Sequence, residues 1–196
     1  MASQADICNL ALSNLGQASD ITSINPPNGG KYAQVCVQLY PIALEQVLTD
    51  ADWLFAARVS ELSAVEVDIP AAWQYAYAVP TGMVKPVRLQ TPDMTDPNIG
   101  IPFELAGDVL YANEPAVVLR YTHRNTSTAE YPHGFVLAVA AYLSHLLCGP
   151  VLKDPAASQA WMRMYQSYLA QGIMQNNRSA ENPVYYYPPG IEARWA

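Results

Sequence analysis

Apolar residues recur along the start of the chain with the spacing of a helix. Ile7, Leu10, Ala11 and Leu15 fall at i, i+3, i+4 and i+8, which predicts an amphipathic helix from Gln4 to Leu15. Ser3 stands where an N-cap belongs, and Gly16 supplies the stop. The stretch from Gln17 to Gly30, with Asn25-Pro26-Pro27-Asn28-Gly29-Gly30, has the chemistry of a loop. The helical period returns from Lys31 to Asp50, where Ala33, Cys36, Val37, Tyr40, Leu44, Val47 and Leu48 keep to one stripe. Pro41 lies inside that pattern. It removes a backbone donor and crowds the Val37 carbonyl, so a kink, or two shorter helices at an angle, is expected there.

Between Trp53 and Arg124 the period changes to short runs of Val, Tyr, Ile and Leu separated by Pro, Gly, Asp and Asn. Strands are expected near Ala56–Leu62, Trp73–Ala78, Val84–Leu89, Phe103–Ala106, Val109–Ala112 and Val117–Thr122, forming one small sheet. Ala106-Gly107-Asp108 and Asn113-Glu114-Pro115 read as hairpin turns.

After Pro132, Phe135, Val136, Val139, Ala140, Leu143, Leu146 and Leu147 make a wide apolar surface suited to a bundle interior, and Gly149-Pro150 should break the helix. A last helix is expected from Pro155 to about Gln175, with Asp154 as N-cap and Ala157, Trp161, Met164, Tyr165, Tyr168 and Leu169 on one side. The fold class is therefore α+β: a four-helix core with a small antiparallel β region inserted between helices 2 and 3, and an extended C-terminal arm. Residues 1–58 and 130–180 form the helical core in this reading, 59–129 the inserted β region and 181–196 the arm. Leu10, Val37, Leu44, Val139, Leu143, Trp161 and Tyr165 are expected inside.

Composition narrows the function. A chain of 196 residues, about half apolar, can bury one real core and a small subdomain. Ten basic side chains against seventeen acidic ones give a net charge of -7, which argues against tight binding of nucleic acid through neutralised phosphates. No run approaches the roughly eighteen uninterrupted apolar residues of a membrane helix, and Met1-Ala2-Ser3-Gln4-Ala5-Asp6 lacks a basic stretch leading into an apolar one. A soluble protein made in the cytosol is expected. Cys8, Cys36 and Cys148 are widely spaced and odd in number, and read as small buried apolar residues rather than a disulfide framework or a metal site.

Signals for chemistry are sparse. Of His123, His133 and His145, only His145 has an interesting helical neighbour, Cys148 at i+3, and two ligands do not make a metal site. Asp50/Asp52 and Glu61/Glu66/Asp68 could supply paired carboxylates, although acids at element ends are usually solvated or capping. Phosphate-cradling and nucleophile-elbow motifs are absent. No catalytic residue, cofactor or metal is assigned. By contrast, Val184, Tyr185, Tyr186, Tyr187, Pro188, Pro189, Ile191, Arg194 and Trp195 crowd aromatic groups beyond the last helix, where a solvated tail would not need them. The prolines favour an extended conformation, and the stretch reads as an arm that orders on a partner.

Five short motifs in order resemble the head-to-tail adaptor family of short-tailed bacteriophages, also called tail tubular protein A or head completion proteins. They are Ile7-Cys8-Asn9-Leu10-Ala11-Leu12-Ser13-Asn14-Leu15-Gly16 with Ile21-Thr22-Ser23-Ile24; Cys36…Tyr40…Leu44; Trp53-Leu54-Phe55-Ala56; Trp73-Gln74-Tyr75-Ala76-Tyr77-Ala78-Val79-Pro80; and Leu119-Arg120-Tyr121-Thr122. The resemblance covers nearly the whole chain, though each motif is mostly core residues and turns. It implies a non-enzymatic virion protein, assembled in the host bacterial cytoplasm as a homo-oligomeric ring of twelve copies. It also implies a portal protein above, a nozzle or other tail protein below, and DNA passing through the lumen without specific binding. The C-terminal segment, Val184 to Trp195, is implied to reach the portal.

Three alternatives remain at the level of sequence. One is a tail terminator or neck protein of another tailed phage. Another is a virion-associated peptidoglycan hydrolase using Asp50, Asp52 or Glu61. The third is a stand-alone cytosolic binding module.

Overall fold

The computed structural model describes residues 2–96 and 98–180. The expected arm at 181–196, and with it every residue proposed to touch a portal, lies outside the described residues. Within them the chain is mixed α+β, with four α-helices and small antiparallel sheets.

Helix α1, Gln4–Asn14, opens on a capping box: the Ser3 side chain accepts from the Asp6 N–H at 3.1 Å, and the Asp6 carboxylate accepts from the Ser3 N–H at 2.8 Å. It ends in a Schellman pair, with the Gln17 N–H on the Leu12 carbonyl and the Gly16 N–H on the Ser13 carbonyl. Gly16 stands at φ +67°, which explains a glycine here. The segment expected to be pure loop contains a small hairpin, β1 (Ser23–Ile24) with β2 (Pro27–Asn28). Two-residue strands are too short to show a period, so sequence could not reveal them.

Helix α2, Ala33–Asp50, begins two residues later than expected and runs as one element through Pro41 rather than as two. Pro41 lies on its exposed side, where solvent can replace the missing donor. At its C-terminal end the Trp53 indole donates to the Val47 carbonyl at 2.7 Å, and a 3-10 turn over Leu54–Ala56 leads the chain into β3, Ala57–Glu61.

The remaining strands are β4 (Tyr75–Ala78), β5 (Met83–Gln90), β6 (Glu104–Ala106), β7 (Val109–Ala112) and β8 (Val118–His123), each within two residues of expectation. They form two sheets, not one: β3-β8-β5 and β4-β7-β6, antiparallel throughout. The turn at Ala106-Gly107-Asp108 does join β6 to its partner β7. Asn113-Glu114-Pro115 closes no hairpin, because β7 and β8 belong to different sheets. That turn is a crossing point, held where the Tyr77 hydroxyl donates to the Glu114 carbonyl. Tyr77, Leu89, Leu110, Ala112, Val117, Leu119 and Tyr121 then fill one apolar cluster contributed by both sheets.

Helix α3, His133–Leu147, does not break at Gly149-Pro150. It widens into a π-type turn over Cys148–Leu152, closed by the Lys153 N–H on the Cys148 carbonyl at 2.8 Å, with Lys153 left-handed at φ +54°. Helix α4, Pro155–Ala180, is capped as expected, the Asp154 carboxylate accepting from the Ala156 and Ala157 N–H groups at 2.8 and 3.2 Å, and it runs past Gln175.

All four helices contribute to a second, larger apolar cluster. Leu44, Val139, Leu143 and Tyr165 are buried in it as expected, while Leu10 and Trp161 pack against its edge. Val37 is not core: it is half-buried in the wall of a groove, because the inward stripe of α2 passes through Cys36 and Tyr40 instead. His133–Leu152 is long and apolar enough to cross a membrane by length and composition, although Ser144 and His145 interrupt its apolar run. Its window is 56% buried inside the protein, and Ser144, fully buried, takes a hydrogen bond from Asn14 and donates to the Ala140 carbonyl.

Candidate functional site

The junction between helices and sheets is organised by aromatic rings. Phe135 of α3 meets Trp53, Phe55 and Tyr131 at centroid separations of 5.0, 4.8 and 4.9 Å, mostly edge to face. Asn176 of α4 clamps this junction: its carboxamide oxygen accepts from the Leu54 N–H at 2.9 Å, and its nitrogen donates to the Asp52 carbonyl at 2.9 Å. The Trp53-Leu54-Phe55-Ala56 motif thus belongs to the helical apolar cluster at the point where the chain leaves α2 for β3.

Of the carboxylates singled out in the sequence, Asp50 and Asp52 line one cavity of about 380 Å³ with Lys85, Ile173, Asn176 and Asn177, while Glu61, Glu66 and Asp68 are not part of it. Asp50 accepts from the Tyr165 hydroxyl and from the Gln46 side chain at 2.8 Å. Asp52 pairs with Lys85 at 2.7 Å, and Lys85 also donates to the Thr49 carbonyl at 2.8 Å, fastening β5 to the end of α2. Glu61 is exposed on β3, and Glu66 and Asp68 lie in the exposed segment that follows. Burial, then the bond to Asp50, pushes the Tyr165 phenol well above its ordinary range.

His145 and Cys148 do not converge on a common point. The His145 Nδ1 lies 2.9 Å from Ser158, and Cys148 is a buried thiol raised by desolvation. Cys8 and Cys36 meet between α1 and α2 as free, buried thiols; their mutual hydrogen bond, then burial, pushes Cys8 upward. Among the described residues no three metal-ligating side chains gather. The aromatic stripe Trp161/Tyr165/Tyr168 packs against the helical core.

The feature that sequence reasoning missed is a groove of about 430 Å³ on the outer side of α2. Ile24 and Pro27 of the small hairpin form one wall, and Val37, Tyr40, Pro41 and Leu44 of α2 form the other. Its rim carries Glu45 and Arg124, paired at 2.8 Å and both about half exposed. Tyr40 is 3% exposed, and its hydroxyl lies in the helical core beside the Tyr131 phenol and Cys8. The Tyr131 phenol donates to the Asn125 carbonyl at 2.7 Å. Burial raises the Tyr40 phenol far above its usual range, so it stays a neutral donor. Val37 and Pro41 share one helix face, which could have hinted at the groove; Arg124 comes from a distant loop and could not.

A scan against models of protein families gives no match, and a search of curated proteins gives none either.

Proposed function

We propose that the chain is a structural adaptor subunit of a tailed bacteriophage. In this reading it forms a ring of twelve copies that joins the portal to a nozzle or other tail protein and lets DNA pass. The observation that carries the reading is where the five quoted motifs fall. Ile7 to Gly16 spans α1 and its glycine stop, and Cys36, Tyr40 and Leu44 are the buried stripe of α2. Trp53 to Ala56 is the exit from the helices, Trp73 to Pro80 contains β4, and Leu119 to Thr122 lies in β8. Each motif therefore sits on a turn, a core stripe or a junction that fixes the fold.

The architecture that accompanies this reading is a four-helix core with the β region inserted between α2 and α3 and an extended arm after α4. The arm, Val184 to Trp195, takes the portal. An acidic chain is compatible with a lumen that does not hold DNA, because each lysine facing the duplex would add counterion-release affinity and slow passage. The virion neck is the proposed location, after assembly in the host cytoplasm.

The test is sedimentation of the purified protein alone and mixed with its portal ring, using the full chain and one ending at Glu181 whose fold is checked by circular dichroism. Joining of the full chain alone, in a defined multiple, supports both the adaptor and its arm. Equal joining by a folded truncated chain removes the arm assignment, and no joining by either removes the adaptor.

A further inference from the structure

The groove on α2 has the chemistry of a peptide seat. Its walls are mostly apolar, with Pro27 and Pro41 among them, and its rim offers a carboxylate. An extended chain supplies what these lack: apolar side chains for the walls and a cation for the rim. Proline-containing segments suit such grooves because their extended form costs little entropy to fix.

The protein's own C-terminal sequence has this composition. Tyr185-Tyr186-Tyr187-Pro188-Pro189 supplies aromatic and proline side chains, and Arg194 follows a few residues later. The Glu45–Arg124 pair at the rim is solvent-exposed, and such pairs contribute at most about 1 kcal/mol. Glu45 can therefore turn toward another guanidinium at little cost.

Reach also favours this occupant. The Asn176 clamp holds the end of α4 beside Asp52 and Leu54, at the C-terminal end of α2. From Asp50 back to Pro41 the axis of α2 covers about 14 Å at ~1.5 Å per residue. Extended chain from Glu181 to Pro188 covers about 22 Å at ~3.1 Å per residue. A chain continuing from the end of α4 is therefore long enough to bring its prolines that far along α2.

We propose that the groove lined by Ile24, Pro27, Val37, Tyr40, Pro41 and Leu44 is the seat of this chain's own Val184–Trp195 segment, bound within the same subunit. Where the adaptor reading also holds, the portal takes the segment from this seat, and the unliganded subunit keeps its aromatic groups covered until then.

The experiment uses the full chain with the photoreactive residue benzoylphenylalanine placed at Val37 or, separately, at Glu45, both accessible positions. Irradiation should cross-link each to peptides containing residues 184–195. In an equal mixture of isotope-labelled and unlabelled chains, the linked species should be wholly labelled or wholly unlabelled. Replacing Tyr187, Pro188 and Pro189 together by Ser should lower the yield at least fivefold. Links to other segments, mixed-isotope links, or a yield indifferent to the serine variant would each overturn the proposal. No portal enters the measurement, so its failure is separate from failure of the adaptor reading.

Discussion

Gly134 of α3 faces Gly172 of α4 so closely that a Cβ on Gly134 would lie 2.9 Å from the Gly172 Cα, and a Cβ on Gly172 would lie 2.8 Å from the Trp53 ring. In a helix, alanine normally stabilises relative to glycine by about 1 kcal/mol. Here the obstacle for Gly134 is backbone, which yields only if the helices part. Overpacking of this kind costs about 1–3 kcal/mol and exceeds the propensity gain. Gly134→Ala is expected to lower stability by about 1–2 kcal/mol, a Tm decrease of about 2–8 °C in a chain of this length. Thermal unfolding followed by circular dichroism checks it, and an unchanged or higher Tm would contradict the close crossing.

That crossing shows what sequence could and could not disclose. The helices and six of the strands were legible because each carries its own period and its own stop: Ser3, Gly16 and Asp154 at helix ends, and Gly107 at the β6–β7 turn. Relations between elements were not. Nothing local in Asn113-Glu114-Pro115 says that the strands on either side join different sheets, since that depends on Tyr77 reaching Glu114. The groove was hidden for the same reason: Glu45 and Arg124 meet only after β8 has paired and returned the chain to α2. Val37 was misplaced because a stripe wide enough for several heptad positions does not say which of them lies innermost.

The capping box of α1 makes part of the stability pH-dependent. Its hydrogen bonds from the Ser3 backbone, then from the Ser3 side chain, hold the Asp6 carboxyl below its ordinary value. A carboxyl lowered in the folded state stabilises fully above its unfolded value, near pH 4, and that contribution is lost as pH falls through the folded value. Ser3→Ala should cost about 1 kcal/mol at pH 7. Urea unfolding at pH 7 and at pH 2.5 should show the gap between variant and parent narrowing in acid; a gap that widens would assign the cap to something other than ionised Asp6.

Tyr165 supplies the opposite sign. Its hydroxyl donates to Asp50 from a site that is only 4% exposed, and burial, then Asp50, raises the phenol. A group raised in the folded state contributes stability that is fully present below its unfolded value, near pH 10, and fades as pH rises above it. Tyr165→Phe should cost about 1.5–3 kcal/mol at pH 7, the range for a hydrogen bond to a charged group. Unfolding measured at pH 7 and pH 11 should show the parent losing more stability than the variant on going alkaline. Equal losses would locate the alkaline sensitivity elsewhere, Tyr40 being the next candidate.

The Asn176 clamp joins a helix end to a turn far away in sequence, and its two bonds point in opposite chemical senses: the oxygen accepts from Leu54 and the nitrogen donates to Asp52. Asn176→Asp preserves shape and acceptor but turns the second contact into a carboxylate facing a carbonyl, with no donor left between them. Asn176→Ala removes both bonds and leaves the Leu54 N–H, half-buried beside the aromatic junction, without a partner. An unsatisfied group of this kind costs about 1–3 kcal/mol. Most of that loss should appear locally, because Tyr165 and Gly172 still hold the earlier turns of α4 against Asp50 and Gly134. Hydrogen exchange should therefore accelerate at residues 173–180 and 52–56 in both variants, with little change at residues 136–147 of α3. Uniform acceleration across α3 and α4 would mean that the clamp belongs to the cooperative core rather than to a separately opening end. The distinction bears on function, since an end of α4 that opens alone can redirect whatever follows it without unfolding the subunit.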